Sequence, residues 1–209
     1  VTDGYQTITP KPLTITAASD SIIYDGTALT NDDYTNTPLA SGDVITSITI
    51  TGSQTVAGTS NNVPSAAVIK DGTEDVTSNY NITYTNGTLT VTPRPVTLTS
   101  ASASKIYDGT PLTNSTVTVG GEGFVTGEGA TYNVTGSQTN VGSCSNAFTY
   151  TLNSNTDANN YTIDKIEGTL TVTSNEDALT LTCPSGESIT KMYDGAELAP
   201  VASVTGAIG

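Results

Sequence analysis

Few side chains in this sequence are able to do chemistry. The 209 residues include no His and only two Cys, Cys144 and Cys183. Without imidazole there is no base for a Ser-His-Asp or Cys-His nucleophile, and no His-ligated zinc site. The remaining ionisable groups are mostly acids, 20 Asp or Glu against 6 Lys or Arg. A pair of carboxylates facing each other across one cleft can hydrolyse a glycosidic bond. These acids instead fall in short, separate groups such as Asp32-Asp33 and Glu74-Asp75, the pattern of solvated loops. Ca2+ is the one cation such oxygen-rich loops would suit, and no other cofactor is expected. No catalytic residue is expected either.

The elements that must position these groups are strands. Only 12% of residues are charged and Gly is plentiful, which disfavours long salt-bridged helices. Thr, Val, Ile and Tyr suit a pleated, half-buried surface. A net charge of -14 repels phosphate backbones and anionic head groups, so nucleic acid and direct membrane contact are not expected. No apolar stretch is long enough to span a bilayer and no signal peptide opens the chain, which is the expectation for a mature or internal segment.

Internal repetition dominates the sequence. Lys11-Pro-Leu-Thr-Ile-Thr, then Tyr24-Asp25-Gly26-Thr27-Ala28-Leu29-Thr30, returns as Arg94-Pro-Val-Thr-Leu-Thr and Tyr107-Asp108-Gly109-Thr110-Pro111-Leu112-Thr113. A third copy opens at Ala178 and carries Tyr193-Asp194-Gly195. Tyr24 and Tyr107 lie 83 positions apart, Tyr107 and Tyr193 86. Thr51-Gly52-Ser53-Gln54-Thr55 returns at Thr135, and Asn79-Tyr80 with Gly87-Thr-Leu-Thr-Val-Thr returns at Asn160-Tyr161 and Gly168. Three blocks in one order define the organisation: residues 1–10 as the last strand of a preceding repeat, 11–93 as one module, 94–176 as a second, and 177–209 as the start of a third.

Within a module, Leu13-Thr-Ile-Thr16 and its counterpart alternate apolar with hydroxyl side chains, as a half-buried strand does. Asn86-Gly87 predicts a two-residue hairpin, and Glu167-Gly168 a poorer version of it. Each Tyr-Asp-Gly predicts a tight turn, with Asp bonding its own backbone, Gly supplying freedom and the ring packed inward. Thr9-Pro-Lys-Pro12 and Thr92-Pro-Arg-Pro95 predict stiff joints with almost no linker, each module adding on the order of 30 to 40 Å. The junction Ser174-Asn-Glu-Asp177 has no Pro. Cys144 replaces Ser60 and Cys183 replaces Ser100, which suggests a disulfide tying module two to module three in an oxidising exterior. Lys105 and Lys191 align with Ile22, which argues against a general Lys isopeptide. Gln54 and Gln138 could form an ester with Thr or hydrogen-bond backbone. Five Asn-x-Ser/Thr sequons, at Asn81, Asn86, Asn114, Asn133 and Asn160, carry no assigned role. Tyr34, Tyr132 and Tyr150 lie outside the repeated blocks and could form an exposed sugar platform.

The ordered blocks Leu-Thr-Ile-Thr, Tyr-Asp-Gly-Thr-x-Leu-Thr, Thr-Gly-Ser-Gln-Thr and Asn-Tyr-x-Ile with Gly-Thr-Leu-Thr-Val-Thr-Pro resemble the YDG and MBG repeats of bacterial surface proteins, over nearly the whole chain. The resemblance implies secreted proteins, often wall-attached or filamentous and adhesin-like, and carries no catalytic residue with it. The expected fold is all-β: tandem immunoglobulin-like β-sandwiches in an elongated array, or β-grasp modules if residues 71–79 hold a short helix. The expected role is a structural stalk or fibre repeat at the cell surface, its partners being neighbouring repeats of the same chain. The alternative is an adhesin module that binds host glycan or protein, and lateral self-association is a further option.

Overall fold

The computed structural model describes residues 6–175, together with the backbone of Thr180–Thr182 and Ser203–Thr205, which pair antiparallel. Strands make up 58% of the described residues and no α-helix occurs among them, so the protein is all-β and sandwich-like in character.

The first repeat contributes eight strands: β1 (Lys11–Ala17), β2 (Asp20–Ile23), β3 (Tyr34–Asn36), β4 (Asp43–Thr51), β5 (Gly58–Asp71), β6 (Glu74–Asp75), β7 (Tyr80–Thr85) and β8 (Gly87–Thr92). Alternation works as expected in β1, where Leu13, Ile15 and Ala17 are buried and Thr14 and Thr16 are not. β1 lies between β3, antiparallel to it, and β7, parallel to it. β8 lies between β2, parallel, and the 14-residue β5, which goes on to pair with β4 and β6. One core cluster is Leu13, Ile15, Ala67, Ile69 and Tyr80, bordered by Tyr34, Ile45 and Ile82, and Leu89 and Val91 of β8 are also buried. Within β5 the exposed Ala66 takes a φ of 52°, and Tyr84 Oη accepts the N–H of the buried Ala67.

Asn86-Gly87 is not a hairpin. Lys11 faces Tyr80 and Asp20 faces Leu89, one unchanged offset, so β7 and β8 are successive segments of a single path running parallel to β1 and β2. Gly87 is needed for space, since a Cβ there would lie 2.1 Å from the Ala18 carbonyl oxygen. Gly168 is alike, 2.4 Å from the Ser100 carbonyl oxygen. The residue before each glycine, Asn86 or Glu167, makes no turn. Residues 71–79 hold β6 and a single 3-10 turn, Thr77–Asn79, in place of the short helix that would have favoured the β-grasp form. Residues 6–10 form no strand, and Ile8 is 98% exposed.

The second repeat runs through β9 (Arg94–Ser100), β10 (Ala103–Ile106), β11 (Val117–Gly121), β12 (Ala130–Val134), β13 (Gly142–Asn146), β14 (Phe148–Leu152), β15 (Tyr161–Ile166) and β16 (Gly168–Thr173). Its pairing repeats the first: β9 between β11 and β15, β16 between β10 and β13, and β12 with β14. The long β5 is matched by two strands, β13 and β14, parted at Ala147. Pro93 alone separates β8 from β9.

The chain forms two compact units, whose limits do not follow the repeat boundary. The first comprises residues 1–98, 119–131 and 150–165, the second residues 99–118, 132–149 and 166–209. The first unit therefore joins the whole first repeat to the part of the second that carries Phe124, Glu128 and Tyr161.

Candidate functional site

The Tyr24-Asp25-Gly26 turn follows β2 directly. Asp25 Oδ1 accepts both the N–H of Thr27, at 2.8 Å, and its hydroxyl, at 2.7 Å. These bonds stabilise the anion and hold the Asp25 carboxyl below its usual range, the Thr27 hydroxyl being the larger cause. Gly26 takes a φ of 82°, which L side chains avoid. The turn thereby presents the Tyr24 ring, which is only 6% exposed although the turn around it is open.

The seat that buries this ring comes from the second repeat, within the first compact unit. Tyr24 and Tyr161 meet edge to face, centroids 5.6 Å apart, and Phe124 packs on Tyr161 at 5.1 Å. Glu128 lies between the two phenols: Tyr24 Oη donates to Oε1 and Tyr161 Oη to Oε2, each at 2.7 Å. Tyr161 Oη also accepts the N–H of Val125 at 3.1 Å, and Asn160 Oδ1 accepts the N–H of Ala57 at 2.8 Å. Arg94, the first residue of β9, completes the clasp. Its guanidinium donates to the carbonyls of Gly123 (2.8 Å), Glu122 (2.6 Å) and Tyr24 (3.3 Å). Its contact with the Glu122 carboxylate is looser, 3.8 Å.

Electrostatics follow from this arrangement. Burial pushes the Tyr161 phenol up to about 12, and its bond to Glu128 adds to that. Tyr24 is raised chiefly by its bond to Glu128, then by burial. Both rings stay protonated and donate to a carboxylate, so the site holds two charge-assisted hydrogen bonds. What it does chemically is hold two repeats together.

The repeated Tyr107-Asp108-Gly109 turn, in the second unit, has the same internal geometry. Asp108 Oδ1 accepts from the N–H and hydroxyl of Thr110 at 2.9 and 2.8 Å, and Gly109 takes a φ of 80°. Lys105, standing where the first repeat has Ile22, adds a 2.7 Å ion pair that lowers the Asp108 carboxyl strongly, with further bonds to Thr110. Tyr193, Asp194 and Gly195 lie outside the described residues, as do Lys191 and Cys183. Cys144, on β13, makes a 3.5 Å contact from Sγ to the Ser137 carbonyl, the same contact Ser60 makes with Ser53.

The other landmarks are structural. Gln54 and Gln138 donate from Nε2 to the carbonyls of Val56 and Asn140, both at 2.7 Å. Asn62 and Asn146 are buried, and each amide donates to two carbonyls, those of Ala18 and Asn31 and those of Ala101 and Asn114. Their side chains lie against Gly52 and Gly136, where a Cβ would come within 2.8 and 2.3 Å of Oδ1. Hence the Gly of Thr-Gly-Ser-Gln-Thr.

Tyr34, Tyr132 and Tyr150 are half-buried, and Tyr34 packs on the first repeat's core. A groove of about 390 Å³ in the second unit is lined by Thr113, Asn114, Ser115, Val134, Thr135, Gly136 and Ser137, with neither aromatic nor ionisable groups. No three metal-ligating side chains converge among the described residues. Sequence reasoning missed Arg94, Glu128 and Asn160 as a set. The signal was there in part: Asn160-Tyr161 belongs to a repeated block, and Arg94 recurs as Lys11.

Comparison with known proteins finds no matching family model, curated protein or solved structure.

Proposed function

We propose that this chain is a run of tandem immunoglobulin-like β-sandwich modules from an extracellular bacterial surface protein, of the kind that YDG and MBG repeats resemble. Its work is mechanical: the modules form a stalk or fibre that spaces or displays an adhesive region, and they are not enzymes. The observation that carries this reading is the clasp, in which a turn of one repeat is seated on tyrosine, glutamate and arginine side chains of the next. A joint that spends two tyrosines, a buried Asn and an Arg fork on holding position suits a load-bearing spacer. The acidic, lightly charged, Thr-rich composition supports an exterior setting and speaks against nucleic-acid or membrane partners.

Stretching the chain by its ends in a single-molecule force experiment tests this. The joint should give way only together with the core strands of the first repeat. Extension at the joint at forces well below core unfolding would remove the mechanical reading. Glycan-array binding that survives in one isolated repeat would favour the adhesin alternative, for which the hydroxyl-lined groove is a candidate pocket.

A further inference from the structure

The two Tyr-Asp-Gly turns share one backbone frame. The N–H of Tyr24 donates to the Thr92 carbonyl and that of Tyr107 to the Thr173 carbonyl, both at 2.9 Å. Beyond each turn a leucine exchanges two backbone bonds with a glutamine, Leu29 with Gln54 at 2.9 and 3.1 Å and Leu112 with Gln138 at 2.8 and 3.1 Å. Between these fixed points the aspartate Oδ1 takes the N–H and the hydroxyl of the threonine two residues on, and the glycine has a φ of 82° or 80°. Each turn thus holds the same three oxygens in the same arrangement: a carboxylate oxygen, a threonine hydroxyl and a threonine carbonyl.

In the second repeat a cation sits on those oxygens. Lys105 Nζ lies 2.7 Å from Asp108 Oδ1, 2.7 Å from Thr110 Oγ1 and 2.5 Å from the Thr110 carbonyl oxygen. All three donors of the ammonium find a partner within one turn, so the turn is a cradle for a compact positive charge. In the first repeat the place of Lys105 belongs to Ile22: Lys105 stands opposite Val172 and Ile22 opposite Val91, the same register on equivalent strands. Ile22 has neither the length nor the charge to reach the turn. Asp25, Gly26 and Thr27 are exposed, and among the described residues Thr27 is the hydrogen-bond partner of the Asp25 carboxylate. Arg94 is close enough to act on the Asp25 charge, but its guanidinium is committed to the carbonyls of Gly123, Glu122 and Tyr24.

We propose that Asp25 Oδ1, Thr27 Oγ1 and the Thr27 carbonyl form a binding site for a monovalent cation of potassium or ammonium size, the free-ion counterpart of the Lys105 ammonium in the second repeat. A single carboxylate offers Ca2+ far less charge than its protein sites usually do. A bound ion stiffens the loop that presents Tyr24 to Glu128. The site requires no load on the chain, so its titration and the stretching experiment succeed or fail separately.

Titrating the intact chain with potassium chloride, at an ionic strength held constant by tetramethylammonium chloride, tests the site through backbone amide resonances. Gly26 and Thr27 should shift along a saturating curve with its midpoint on the order of 100 mM, as suits an exposed site with one carboxylate. Gly109 and Thr110, whose cradle Lys105 fills, should not move. Ile22→Lys should remove the response at Thr27, and Lys105→Met should create one at Thr110 with a similar midpoint. Asp25→Asn, which keeps the oxygen that the turn needs, should raise the Thr27 midpoint about tenfold. Equal shifts at Thr27 and Thr110 in the unsubstituted chain would overturn the proposal, as would a flat Thr27 or a Thr27 response that survives Ile22→Lys. Should Ile22→Lys fail to fold, Lys105→Met decides alone: a Thr110 amide still indifferent to potassium contradicts the site.

Discussion

Gly87 and Gly168 serve by having no side chain where two parallel paths nearly touch, which gives two residue-scale predictions. Gly87→Ala should cost about 3 kcal/mol in a denaturant titration, because the methyl group meets backbone that cannot yield. Asn86→Ala should stay within about 0.5 kcal/mol, since Asn86 is exposed and makes no turn; a hairpin at this dipeptide would require the reverse. Asn62 presents a polar case. Asn62→Asp removes the donor to the Ala18 and Asn31 carbonyls and buries a carboxyl against them, so a loss of about 3 kcal/mol is expected by the same titration. The positions of these residues were legible in the sequence as repeated blocks. Their reasons were not: Asn-Gly reads as a hairpin only if the flanking strands pair with each other, and which strands pair is decided by contacts about seventy residues away.

At the scale of elements, strand character was the easiest property to read, since Leu13, Ile15 and Ala17 alternate with Thr and the burial follows. The parallel course of β1 with β7 left no local trace, because both orientations share the same period of two. The Tyr-Asp-Gly turn was legible as a turn, and its side-chain bonds come from Asp and Thr as that residue pair would suggest. What the tyrosine packs against was not legible, because its partners lie about a hundred residues on. The clasp also predicts a pH dependence. Tyr161 titrates near 12 when folded against 10 when unfolded, and Tyr24 and Tyr80 are shifted the same way. Protonation is thus favoured in the folded state, so this stabilisation is fully present below pH 10 and is lost as pH rises toward 12. The carboxyls of Asp25, Asp75 and Asp108 are depressed, so their contribution is present above the ordinary value of 3.8 and is lost as pH falls below it. The thermal midpoint should therefore be nearly flat from about pH 5 to 9 and decline on both sides. Tyr161→Phe should reduce the alkaline decline, as followed by melting at each pH.

For the whole molecule, the blocks recur in the same order with a similar series of strands in each repeat, although among the described residues β6 has no counterpart in the second and β13 with β14 take the place of β5. The compact units cut across that repetition, because Tyr24, Arg94, Glu128 and Tyr161 bind the start of one repeat's partner segments to the other repeat. Periodicity alone could not show this, since it records what copies share and not what passes between them. The account accordingly stands on a joint whose hydrogen bonds open only when the first repeat's core opens. Residue-resolved amide exchange on the intact chain measures that coupling most directly. The N–H groups of Val125 and Ala57, which donate to Tyr161 and Asn160, should exchange within about tenfold of the rate of Ile69 in the core. Exchange of those two amides at the rate of open turns, while Ile69 stays protected, would contradict it.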